Sequence, residues 1–122
     1  LQQKSDTQWT RGTSLDTFCP LGPWIVTRDE IADPHNLAVR TTIDGEVMQD
    51  GNTHDMIFSV PALIAYCSRM FTLEPGDLIL TGTPSGVGAG RKPQRFLADG
   101  ETVTVSVENV GELTNPCRVL ED

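Results

Sequence analysis

The chain is poor in the residues that several large function classes require. Only His35 and His54 are present among 122 residues, and three cysteines (Cys19, Cys67, Cys117) lie far apart with no C-x-x-C pair. A zinc site built from histidines and cysteines therefore has little support. An odd, scattered cysteine set argues against a disulfide framework and for a reducing compartment. Basic residues number 9 against 17 acidic ones, a formal net charge of −8, which disfavours an electrostatic grip on DNA, RNA or anionic lipid. No apolar run approaches the roughly 20 residues that span a bilayer. The opening residues do not read as a signal peptide, and Leu1 in place of an initiator methionine leads us to expect a fragment or a processed product. Repeats and low-complexity tracts are absent. Aromatics make up 6% and hydrophobic residues 38% of the chain. That suffices for one folded domain but is lean for a self-sufficient core, so part of its surface is expected to lie under something else.

What is present is a series of short elements. Residues 1–14 are polar and read as a loop anchored by Trp9. Gly22-Pro23 leads into Trp24-Ile25-Val26-Thr27, a short strand bounded by turn residues. Leu37, Val39, Thr41 and Ile43 alternate with Ala38, Arg40 and Thr42, the period-two pattern of a half-buried strand. Asp44-Gly45 follows, a dipeptide suited to a type I′ turn, and residues 46–49 form the return strand. Ser59 is a good N-cap for a single strong helix that tolerates Pro61 in its first turn. Val60, Leu63, Ile64, Cys67 and Phe71 supply its apolar face. Glu74-Pro75-Gly76-Asp77 stops that helix, and residues 77–80 read as a buried strand. Further on, residues 102–107 place Val103, Val105 and Val107 inward, Asn109-Val110-Gly111-Glu112 turns, and residues 113–120 return. One helix against several short antiparallel strands predicts a β-rich α+β domain.

The densest signal is the loop Leu80-Thr81-Gly82-Thr83-Pro84-Ser85-Gly86-Val87-Gly88-Ala89-Gly90-Arg91. Glycines gather where the backbone needs positive φ or must be approached closely. A hydroxyl-bearing, glycine-lined loop is a plausible ligand-contacting surface, and the plain alternative is an exposed turn. Nucleotide readings fail on spacing: Gly90 is followed by Arg91-Lys92-Pro93, with no hydroxyl after the lysine, and Gly86-x-Gly88-x-Gly90 runs into a proline instead of a helix.

Four motifs in order carry a resemblance: Asp16-Thr17-Phe18-Cys19-Pro20-Leu21-Gly22-Pro23, Gln49-Asp50-Gly51-Asn52-Thr53, Asp55-Met56-Ile57-Phe58-Ser59, and residues 80–88 of the glycine loop. Together they resemble the C-terminal region of the fumarylacetoacetate hydrolase family, including its acylpyruvate hydrolase, oxaloacetate decarboxylase and hydroxyheptadienedioate isomerase branches. The resemblance runs over nearly the whole chain and implies a single domain, residues 1–122, forming the C-terminal portion of a catalytic domain. It implies a mixed β-sandwich roll, a homodimer, a 2-oxo acid substrate, and a cytoplasmic location or, in a eukaryote, the mitochondrial matrix. It also implies Mg²⁺ or Mn²⁺, held by a Glu-x-Glu pair and an Asp that lie upstream of this segment, so no metal ligand is expected here.

By the same resemblance, Gln2 corresponds to the glutamine that faces the keto acid. Thr83, with the backbone of Gly82, corresponds to the threonine that hydrogen-bonds the substrate carboxylate or its enolate. Gln49 falls at the pocket's edge. For each, the plain reading is a polar residue that satisfies a turn. Thr13 stands where the family usually carries a lysine that stabilises developing negative charge, and a hydroxyl is no cation. The function implied for the intact protein is metal-dependent cleavage or isomerisation of 2-oxo acids. The alternative is a truncated or degenerate member that serves as a dimerising or structural domain. His54 reads as a turn residue and His35 as a solvated loop residue.

Overall fold

The computed structural model describes residues 8–119. Its centre is the hairpin that the alternation of residues 37–43 predicts. Strand β1 (Ala38–Ile43) and strand β2 (Glu46–Asn52) pair antiparallel. Asp44 (φ 49°) and Gly45 (φ 85°) both adopt left-handed backbone between them, as a type I′ turn requires. The register runs Ile43↔Glu46 and Thr42↔Val47, then shifts, so that Thr41 faces Gln49. Met48 is thus an extra residue in β2. Such a bulge bends a strand and re-aims the groups beside it.

Strand β3 (Thr102–Val107) lies along the other edge of β1, and β4 (Gly111–Pro116) completes an antiparallel sheet of order β2-β1-β3-β4. About sixty residues separate β1 from β3 in sequence, and acidic side chains pin both ends of their ladder. Asp44 Oδ1 accepts from the Thr102 amide and Glu108 Oε2 from the Ala38 amide, each at 2.9 Å. The Asn109 turn joins β3 to β4 with φ 58° at Asn109.

A four-residue helix, α1 (Trp9–Gly12), replaces the loop expected there, and Trp9 is 69% exposed. The main helix, α2 (Val60–Cys67), begins at Ser59 as predicted, whose Oγ accepts from the Ala62 amide. It stops short of Phe71. A second acceptor at its start was not expected: His35 Nε2 takes the Val60 amide at 3.0 Å. His35 is therefore half-buried against a helix N-terminus, where it satisfies one of the amides that a helix leaves without an internal partner. His54 does sit in a turn, its amide bonded to Asn52 Oδ1.

Two predicted strands do not form. Residues 24–27 and 77–80 join no ladder among the described residues, and Ile25, Leu78 and Leu80 are exposed. Apolar composition favours a strand only when a neighbouring backbone offers its N–H and C=O groups. Among the described residues, residues 78–80 meet no such partner. Residues 113–120 also overreach: β4 ends at Pro116, although the next residue still pairs, the Cys117 amide donating to the Glu101 carbonyl at 2.7 Å and its carbonyl accepting from the Gly100 amide at 3.0 Å.

The fold is a sheet-dominated α+β domain with one main helix, as expected, yet its core is small. Leu37, Ile43 and Met48 are the buried hydrophobic residues among those described, and Val105, expected inward, is partly exposed. The accessible surface of 9987 Å² compares with about 6,400 Å² for a compact domain of this mass. A groove of about 620 Å³, lined by Phe18, Leu21, Trp24, Val103, Val105 and Leu113, runs over the β3 face.

Candidate functional site

The glycine loop does not hang free; it is seated on the bulged part of β2. Gly86 (φ +106°) lies so close that a Cβ there would stand 2.2 Å from the Met48 carbonyl oxygen. On β2 itself, a Cβ at Gly51 would stand 2.8 Å from Pro84 Cβ. Both glycines are close-approach positions, for which any larger residue lacks room. Arg91 staples the contact: its Nη2 donates to the Met48 carbonyl at 2.6 Å and its Nε to the Gly86 carbonyl at 3.0 Å. The bulge leaves the Met48 carbonyl aimed at the loop, where the guanidinium meets it.

Gln49 completes the seat. Its Nε2 donates to Thr83 Oγ1 at 2.8 Å and to the Pro84 carbonyl at 2.7 Å, while its Oε1 accepts from Thr41 Oγ1 at 3.1 Å. Gln49 and Thr83, 34 residues apart, are thus in direct contact. Gly82 (φ +102°) stands beside them with nothing within 4 Å of where a Cβ would be, so the Gly82–Thr83 edge is open to an approaching molecule. The far side of the loop is held as well. The Arg95 amide donates to the Gly88 carbonyl at 3.0 Å, and the Arg95 guanidinium pairs with both carboxylate oxygens of Glu101, just ahead of β3. That pairing, together with the Ala98 amide on Glu101 Oε2, lowers the Glu101 carboxyl below its ordinary range and raises Arg95.

Of the remaining expected site residues, Gln2 lies outside the described residues. Thr13 caps α1: its Oγ1 donates toward the Trp9 and Thr10 carbonyls, both at 3.1 Å. That hydroxyl is engaged by its own helix and offers no cation. Sequence reasoning missed Thr41, Arg91 and Arg95. Arg91 stands directly after the glycine run, which was the available signal. Thr41 could not be placed opposite Gln49 without the bulge, since an unbroken I′ hairpin would pair it with Met48. Among the described residues, no group of three or more His, Cys, Asp or Glu could hold a metal ion. The residues described therefore do not fit a divalent site. Nor, among the described residues, is any helix long and apolar enough to cross a membrane.

Comparison with known proteins decides the lineage. The fumarylacetoacetate (FAA) hydrolase C-terminal family matches residues 1–118. The chain belongs to the fumarylacetoacetate hydrolase family. Its relatives there carry different activities. A mitochondrial oxaloacetate tautomerase of Xenopus laevis is 49% identical over 114 residues, 93% of this chain and 36% of the relative. A 2-hydroxyhepta-2,4-diene-1,7-dioate isomerase from Mycobacterium marinum superposes with a TM-score of 0.81 at 51% identity, covering 94% of this chain and 42% of that one. A maleylpyruvate hydrolase from Sphingobium sp. SYK-6, solved in complex with manganese(II) ion and pyruvate, superposes with a TM-score of 0.76 at 39% identity, covering 84% and 36%. The chain thus spans little more than a third of the length of the curated relatives it matches.

Proposed function

We propose that the protein carrying this chain is an enzyme acting on 2-oxo acids through an enol or enolate, with oxaloacetate the first substrate to test, and that the Gly82–Thr83 edge binds the substrate's negatively charged oxygens. Tautomerisation, C–C hydrolysis and double-bond isomerisation of 2-oxo acids share one demand, stabilisation of negative charge on oxygen. Preformed donors aimed at that charge are the usual means. The observation that carries the reading is the Thr83 hydroxyl, held at an open edge by a loop locked onto β2. The tautomerase, isomerase and hydrolase names among relatives of about 40–50% identity support the substrate class. The enzyme is, on this reading, a homodimer, and its divalent ion ligands and catalytic acids belong to parts of the protein outside the described residues.

The test is to follow the loss of enol absorbance of oxaloacetate, with an acylpyruvate in parallel, using the complete gene product. Acceleration of either supports the reading, and neither being turned over refutes it. A second reading, a non-catalytic relative, is favoured by one observation: the Thr13 hydroxyl is engaged with the α1 carbonyls where the family carries a lysine. If Thr13→Lys creates turnover in an inactive parent, that second reading is correct; substantial activity with Thr13 in place dismisses it.

A further inference from the structure

We infer that Gln49 is a positioning residue, not a substrate contact, and that it fixes Thr83 as a hydrogen-bond donor toward the bound 2-oxo acid. The inference rests on the Thr83 reading above and adds a polarity to it. The polarity follows from what each atom can do. The Pro84 carbonyl can only accept, so the Gln49 atom 2.7 Å from it is the amide nitrogen. An amide nitrogen donates and does not accept. Thr83 Oγ1, 2.8 Å from the same nitrogen, must therefore receive a hydrogen bond from it. Both Nε2 protons are then committed, and Oε1 is committed to the Thr41 hydroxyl. No donor of Gln49 remains for a substrate.

Thr83 is left with its own proton, which meets no acceptor among the described residues and lies at the open edge of the loop. A hydroxyl that has already accepted one bond is also the better donor, because hydrogen bonds in a chain polarise one another. The direction runs from the Thr41 hydroxyl through the Gln49 amide to Thr83 Oγ1 and outward. The β2 bulge builds it by shifting the register so that Thr41 faces Gln49. The ligand favoured is one that presents an acceptor to this proton, an anionic carboxylate or enolate oxygen above all.

The test is a mutant cycle in the complete protein, read as kcat/KM for oxaloacetate. Thr83→Val removes the donor and is expected to cost about 10- to 100-fold, the range for a hydrogen bond to a charged group. Gln49→Glu is nearly isosteric but can only accept when ionised, so Thr83 turns its proton inward and a similar loss is expected. Gln49→Met keeps the volume and leaves the hydroxyl free to rotate, so its loss is smaller than that of Gln49→Glu. The double variant Gln49→Glu/Thr83→Val should lose no more than Thr83→Val alone. Additive losses, or Gln49→Met falling below Gln49→Glu, would overturn the inference.

A second readout does not depend on turnover. The Gln49 side-chain amide protons should exchange slowly in NMR spectra of the wild-type protein, and one of them should shift in Thr83→Val. Free-glutamine exchange rates would sink the relay even in an active enzyme. A protected amide in a protein that turns over no 2-oxo acid would leave the relay standing and remove the proposed function instead.

Discussion

Replacing Gly86 by alanine tests whether the glycine loop is truly seated on β2. A Cβ at residue 86 would start 2.2 Å from the Met48 carbonyl oxygen, whereas real Cβ atoms keep at least 3.0 Å. The contact atom is strand backbone, which has no rotamer to offer, so the loop must retreat by about 0.8 Å or more. A shift of that size takes the Arg91–Met48 bond from 2.6 Å and the Gln49–Pro84 and Gln49–Thr83 bonds from 2.7 and 2.8 Å to about 3.4–3.6 Å, the limit of useful bonding. Two or three such bonds at about 1 kcal/mol each give about 2–3 kcal/mol. Positive φ adds about 1–2 kcal/mol for any L-residue. Gly82→Ala is the control: its φ of +102° matches, but nothing lies within 4 Å of its Cβ, so it carries the φ term alone. Urea unfolding should place Gly86→Ala about 2–3 kcal/mol below Gly82→Ala, and exchange of the Arg95 amide should quicken in Gly86→Ala. Equal stability of the two variants would refute the seating, since what separates them is the crowding of residue 86 against Met48 and Gln49.

Three further outcomes follow from the same geometry. His35→Ala should destabilise the protein by about 1 kcal/mol, the usual cost of an N-terminal cap, and raise exchange at the Val60 amide; an unchanged amide would show that His35 caps nothing. Trp24→Phe removes the donor to the Val110 carbonyl, 2.6 Å away, and should cost about 1 kcal/mol in thermal or urea unfolding, the β3–β4 turn amides exchanging faster as it does. Glu101, lowered first by its hydrogen bonds with Arg95 and then by the Ala98 amide, contributes stability that is full above the carboxyl's unfolded value and is lost as pH falls through its lower folded value. Glu101→Gln should therefore flatten the acid limb of a stability–pH curve, and an unaltered limb would place that linkage on other carboxylates.

The residues that declared themselves in sequence are those whose signals are local. Asp44-Gly45 dictates a type I′ turn because both positions need left-handed backbone, and the turn forms. Ser59 caps α2 for an equally local reason, and Val103 and its neighbours pair because the period-two pattern matches the pleat. What stayed hidden depends on partners far away in the chain. Residues 24–27 and 77–80 have strand composition but no ladder partner among the described residues, so no strand forms there. His35 looked solvated because the amide it accepts lies 25 residues downstream. Gln49 and Thr83 were singled out by resemblance, but their contact depends on a single-residue bulge that neither alternation nor the turn dipeptide encodes.

The small core and the stiff loop together say how this site can work. Three buried hydrophobic residues among those described and a valine-lined groove leave the sheet short of apolar cover, while the glycine loop is fastened at Met48, Gln49, Gly51 and Arg95. Rigidity is thus concentrated at the loop and not in a large core. Charge stabilisation by donors requires that arrangement, because a donor that must reorient at the moment of reaction loses most of its advantage. The loop is fastened through main-chain carbonyls: those of Met48 and Gly86 accept from the Arg91 guanidinium, that of Pro84 from the Gln49 amide group and that of Gly88 from the Arg95 backbone amide. Side-chain changes in the groove should therefore alter stability while leaving the Gln49–Thr83 distance intact, and Arg91→Ala should loosen that distance while leaving the groove intact. Measured as unfolding free energy against Gln49 amide exchange, Val105→Ala and Arg91→Ala should separate on the two axes. Movement of both variants along one axis would mean that sheet and loop are a single cooperative unit and that the site owes its stiffness to the whole domain.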